Sequence, residues 1–178
     1  MGSEMCIRDR FMADKVKNLQ TELLYEVPST LALFFASLNY YSVLVDPSIR
    51  ELNPNMKGQL KHWAAFYAWG TKYLAGSAVV GSLASVAAYS QLKEKYWLYG
   101  GATLLSVVPF TFIFMMKTNN KLKGILKNTT EPEVKEEEKQ DIKDTMKKWC
   151  KLNTCRAVLA TVAAAFFFVA KHQAKNSI

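Results

Sequence analysis

The sequence predicts an all-α protein: a bundle of four transmembrane helices, with an N-terminal amphipathic lead-in and a long charged loop between spans three and four. Three observations carry this prediction. Half of the 178 residues are apolar. They gather in four blocks that alternate with charged stretches, instead of being spread at the helical or strand spacing of a soluble domain. One block, Val107 to Met116, stops at Lys117 on the polar corner Thr118-Asn119-Asn120, as a helix does at a membrane surface.

Residues 1–11 are set aside. Met5 to Asp9 back-translates as ATG TGT ATA AGA GAC, which resembles a sequencing adaptor read in frame, so the native start is expected at Met12 and one domain over 12–178. Before span one, Val16, Leu19, Leu23 and Val27 recur at spacings of three and four, the pattern of an amphipathic lead-in on the membrane surface. Span one covers 27–45, with Pro28 suited to a helix start and Asp46-Pro47 ending the run. Its internal Asn39 is expected to bond across to another helix, with a ligand contact as the alternative.

Span two covers 63–89. Ser77, Gly81 and Ser85 repeat every four residues and allow close helix approach, while Trp63, Tyr67 and Trp69 suit an interfacial belt. Span three covers 96–116, with Pro109 expected to kink it and free a carbonyl that Thr111 can reach. Span four covers 152–170. Its purely apolar run, Ala157 to Ala170, has 14 residues. A bilayer needs about 20, so Arg156 is drawn about one turn inside, snorkelling outward or facing the bundle. In the polar loop, 117–151, Thr130-Glu131-Pro132-Glu133 resembles a capping box and predicts a helix starting near Glu131.

The formal charge is +8, and deleting the first eleven residues leaves it unchanged. Lysines and arginines flank the spans, so the charge is read as membrane-surface charge. No aromatic-interleaved basic patch suggests nucleic acid. Lys117, Lys121, Lys123, Lys127, Lys147, Lys148 and Lys151 on one loop, with Arg50, Lys57 and Lys61 on another, outnumber the basic residues opposite. The positive-inside rule therefore places both larger loops in the cytosol. Cys150 and Cys155, five apart on one helix, read as free thiols. His62 and His172 have no ligand spacing, so no histidine metal site is expected. No phosphate-cradling glycine loop, Ser/His/Asp set, CxxC or HExxH points to a cofactor.

Polar residues converge on the side of the larger loops. Trp149, Leu152, Asn153 and Arg156 form one helical stripe at i, i+3, i+4 and i+7. An up-down bundle brings them level with Asp46 and Pro47 at the end of span one, and with Thr118 and Asn119 at the end of span three. One reading is a pocket in which Arg156, Asn153 and Asn119 orient a carbonyl, phenolate or enolate oxygen above an apolar cavity, with Trp149 lining it. The other is structural: the same residues tie helix ends to loops, Arg156 pairing with Asp46 or with helix carbonyls.

At these residues the chain resembles the anthrone oxygenase-like family of small four-helix membrane proteins. The resemblance spans Leu31 to Ala170 and rests on Pro47; on Pro109, Phe110, Thr111, Thr118, Asn119 and Leu122; and on Trp149, Leu152, Asn153 and Arg156. The chain departs from the family at Lys117, where proline is common, and at Asn153, where many members carry histidine. If that histidine is a base in the oxygenases, this chain lacks it. The resemblance implies oxygenation of an anthrone to an anthraquinone without a conventional cofactor; oxygenase activity rests on the resemblance alone. The expected partners are the bilayer and an apolar aromatic or lipid-like small molecule bound by a cofactor-poor oxidoreductase or binder. The alternative is a non-enzymatic membrane subunit, or scaffold of a larger complex, whose small-residue face on span two packs on a membrane partner or a second copy.

Overall fold

A computed structural model describes residues 2–129 and 133–176, the side chains of 2–9, 14, 17, 18, 175 and 176 excepted. It is 92% helical, with no strand among the described residues. In chain order the helices are α1 (Gly2–Leu44), α2 (Asp46–Glu51), α3 (Met56–Leu92), α4 (Tyr96–Phe110), a π-helical turn (Thr111–Met115), α5 (Met116–Asn128) and α6 (Glu136–Asn176). Four helical stretches are long and apolar enough to cross a membrane: Leu19–Glu51, Met56–Leu92, Tyr96–Asn128 and Glu136–Ala174. They enclose the four spans drawn from the sequence, and the protein is an integral membrane protein.

The rods form a ring in sequence order. Helix α1 packs on α3, α3 on α4, α4 on α6, and α6 closes back on α1. Short connections between consecutive rods give this up-down arrangement. The Asn55 side chain caps α3 by accepting from Gly58 N at 2.8 Å. Lys93 ends the helix in the left-handed region (φ 58°), its N–H bonded to Tyr89 O.

Two apolar cores fill the ring. One lies at the level of the spans and centres on Phe35, Leu74, Trp97, Leu104 and Phe167. The other lies beyond it, where the start of α3, α5 and the start of α6 meet around Leu60, Trp63, Met115, Leu122, Ile142 and Trp149. Phe167 stacks on Trp97 while Phe168 faces outward, so the Phe166-Phe167-Phe168 run serves both packing and lipid contact.

Three expectations change. Pro28 lies inside α1, not at its start. The lead-in and span one are therefore a single rod, and Val16, Leu19 and Leu23 are exposed along it. The capping-box residues Thr130, Glu131 and Pro132 lie outside the described residues, and α6 begins at Glu136. The reason is tertiary: Glu133 accepts from Met56 N at 3.2 Å and Val134 is buried in the outer core, holding the chain out of the helix until Glu136.

The third change concerns the small residues of span two, whose face is spent inside the chain. Ser77 and Ser85 are buried, and Ser82 Oγ donates to Gly101 O at 3.0 Å. A Cβ on Gly81 would meet Leu104 at 2.9 Å, and one on Gly101 would overlap Ser85. Ser77, Gly81 and Ser85 are thus used inside the chain, for the close approach of α3 to its neighbours.

Gly100 is equally tight, because a Cβ there would overlap the Phe167 ring. Gly100→Val is expected to cost about 1–3 kcal/mol by overpacking. Thermal unfolding in detergent checks it; an unchanged midpoint would contradict the close approach of α4 and α6.

Candidate functional site

The Trp149 stripe opens onto a cavity. Helix α6 begins thirteen residues before Trp149 and runs on without interruption, so Trp149, Asn153 and Arg156 share one face by helical spacing alone. Opposite them α1 supplies Phe35, Asn39 and Ser42. Helix α3 supplies Phe66, Tyr67, Gly70 and Leu74. The segment after Leu104 supplies Val107, Val108, Thr111, Phe112 and Met116. The enclosed space is about 130 Å³. Its walls are mostly apolar, and Asn39, Ser42, Asn153 and Arg156 put polar groups among them.

Hydrogen bonding leaves several of those groups unspent. Asn39 Nδ2 donates to Phe35 O of its own helix at 2.7 Å, while Asn39 Oδ1 has no partner among the described residues. The bond is intrahelical rather than the expected bridge to another helix, because the carbonyl four residues back is within reach. Asn153 Oδ1 accepts from Arg156 Nη1 at 3.1 Å, leaving Asn153 Nδ2 and Arg156 Nε unpartnered. Trp149 Nε1 is unpartnered too. Asn39, Trp149 and Asn153 are at most 3% exposed, so water does not simply take these bonds. Buried polar atoms of this kind each carry a desolvation cost that a ligand can relieve.

Arg156 faces the bundle. Its guanidinium lies 5.1 Å from the Phe35 ring centroid, and Nη1 is 3.7 Å from Met115 Sδ. Among the described residues it is the only charged side chain on the cavity wall. The pairing with Asp46 does not occur. Asp46 is fully buried and takes Arg50 Nε at 2.8 Å and His62 Nε2 at 2.8 Å. Arg50, one turn along α2, reaches it first.

The other residues singled out in the sequence lie in and around this cavity. Thr111 lines it and donates to Val107 O at 2.8 Å. The irregularity expected from Pro109 takes the form of the π-helical turn directly after it. Thr118 and Asn119 are buried beyond that turn and do not line the cavity, although both amide atoms of Asn119 are unpartnered. Pro47 lies on a different cleft.

Several lining residues carry no motif. Phe35, Ser42, Phe66 and Tyr67 are visible only once the ring order is known, although Tyr67 comes four residues after Trp63 and so shares its helical face. The rim includes the exposed Thr71, Ala75 and Phe112, so the cavity opens between α3 and the π turn on the outside of the bundle.

Comparison with known proteins places this site in context. The profile described as anthrone oxygenase matches residues 63–166. An anthrone oxygenase of Claviceps purpurea (strain 20.1) is 23% identical over 133 residues, covering 71% of this chain and 75% of the relative. Anthrone oxygenase dmxR16 of Cryptosporiopsis sp. (strain 8999) is 34% identical over 83 residues, covering 46% of this chain and 48% of the relative. No solved structure matches the chain significantly. The matched stretch contains α3 from Trp63 onward, the π turn and the Trp149 stripe; on that match the chain belongs to the anthrone oxygenase family.

Proposed function

We propose that the cavity binds an apolar aromatic carbonyl compound and that the protein acts on it as an oxidoreductase of the kind its relatives' names describe. The observation carrying this reading is the set of unpartnered polar atoms on Asn39, Trp149, Asn153 and Arg156, four residues that line one mostly apolar cavity. A ring carbonyl there would receive hydrogen bonds from Asn153 Nδ2, Trp149 Nε1 and Arg156. If the substrate ionises to an enolate, the guanidinium opposes the new charge where little water competes. For an anthrone, the ring methylene would become a carbonyl, with dioxygen supplying that oxygen and leaving its second atom as water. Asn153 stands where many relatives carry histidine, so its part in this reading is to bind and orient oxygen, not to take a proton.

Size argues in the same direction. A dry cavity of about 150 Å³ accommodates benzene. The site therefore holds about one ring, and a fused tricycle would extend through the rim beside Phe112. The test is to mix purified protein with an anthrone in aerated detergent and monitor anthraquinone formation and ligand binding. Gly70 lines the cavity, and its Cβ position has only Leu74 nearby, at 3.5 Å. Gly70→Leu should fill the cavity and reduce binding at least tenfold with the fold kept. Equal binding by this variant and the wild type would reject the site.

A further inference from the structure

A second cleft, of about 670 Å³, lies between the end of α1, α2, the start of α3 and the N-terminal half of α6. Its volume is within the range of small-molecule sites. Lys143, Lys147 and Lys151 line it at four-residue spacing on one face of α6. None of the three has an ion-pair partner among the described residues. Arg50 forms part of the floor at 5% exposure, and Glu51 is the one carboxylate on the lining. Asp46 balances the Arg50 charge, so the three lysines set the sign of the cleft.

Position adds to charge. Lys151 precedes the apolar run that starts at Ala157 by six residues, about 9 Å along a helix. Val43 and Met146 make the inner wall apolar. Leu44, which ends α1, and Val45 after it are exposed. The cleft is thus basic at its rim and greasy beneath, at the level where one solvent gives way to the other.

We propose that this cleft binds the phosphate headgroup of an anionic phospholipid, whose acyl chains lie against α1. A free phosphate ester would satisfy the lysines but not the apolar wall. Basic clefts at helix ends hold such headgroups, each lysine near the surface contributing about 1 kcal/mol, or about fivefold in affinity.

The test uses the full chain reconstituted in vesicles of phosphatidylcholine, with or without phosphatidylglycerol, re-extracted and weighed by native mass spectrometry. Wild type should retain phosphatidylglycerol above its bulk fraction. K143Q/K147Q/K151Q should lose that enrichment by about a hundredfold, and Lys147→Gln alone by about fivefold. K127Q/K135Q/K148Q removes the same charge from exposed lysines outside the cleft and should keep the enrichment. Thermal midpoints in phosphatidylcholine alone check that each variant is folded. Undiminished enrichment in the cleft variant, or equal loss in the control, would overturn the proposal. Displacement of the lipid by glycerol phosphate at equal concentration would overturn the lipid as ligand in favour of a soluble ester.

Discussion

Arg156→Ala is expected to lower turnover by about 10²–10³, the usual effect of removing one donor aimed at a developing oxyanion, and to weaken ligand binding as well. Among the described residues Arg156 is the only charge on the cavity wall, and its one side-chain oxygen contact is Asn153 Oδ1 at 3.1 Å. No carboxylate partners it among the described residues, so its removal strands no buried anion there. The structural cost is one unsatisfied acceptor, about 1–3 kcal/mol, and the variant should still extract as a monodisperse species. Arg156→Lys should rank between the two, since an ammonium keeps the charge but not the planar fork. The check is a binding isotherm beside a size-exclusion profile. An intact isotherm for the alanine variant would leave the cavity without its electrostatic function.

Asp46→Ala should show the opposite signature, a loss of stability. This carboxylate is fully buried and answers Arg50 and His62 together, each at 2.8 Å. The other Arg50 nitrogens face only sulfur, Met146 Sδ at 3.0 Å and Cys150 Sγ at 3.8 Å. Removing the carboxylate leaves a buried guanidinium without an anion, a change that costs about 3–5 kcal/mol. Arg50→Met in the same chain should restore most of it, because replacing both members of a buried pair is nearly neutral. Denaturant unfolding of single and double variants measures the coupling. Additive losses would show that Asp46 and Arg50 are not coupled as a buried pair.

How much of this was legible beforehand depends on the range over which each feature is decided. The Trp149, Asn153 and Arg156 face was legible because helical spacing fixes it within two turns. The four rods were legible because length and apolarity decide them locally. Asn39 could be recognised as unusual, but its place on the same cavity wall as Arg156 depends on α1 closing the ring against α6. Tyr67 read as a belt residue because aromatics at a span end fit the interface as well as they fit a cavity wall. Pro109 announced an irregularity without giving its form. A π turn adds a residue to one turn and rotates the rest of the helix by about 100°. Thr118 and Asn119 come after that turn, so their facing could not be extrapolated from the start of the helix. The Glu133 contact to α3 joins residues 77 apart, and nothing in the capping-box signal encodes it.

The rim at Thr71, Ala75 and Phe112 opens sideways instead of at either end of the bundle. A solute arriving there has partitioned out of water first. Occupancy then tracks mole fraction in the membrane phase, not molarity in the buffer. Adding inert lipid at a fixed amount of solute dilutes the reactant, whereas adding buffer to a strongly partitioning one barely does. Saturation constants expressed per litre would consequently drift with the lipid-to-protein ratio, and those expressed per lipid would not.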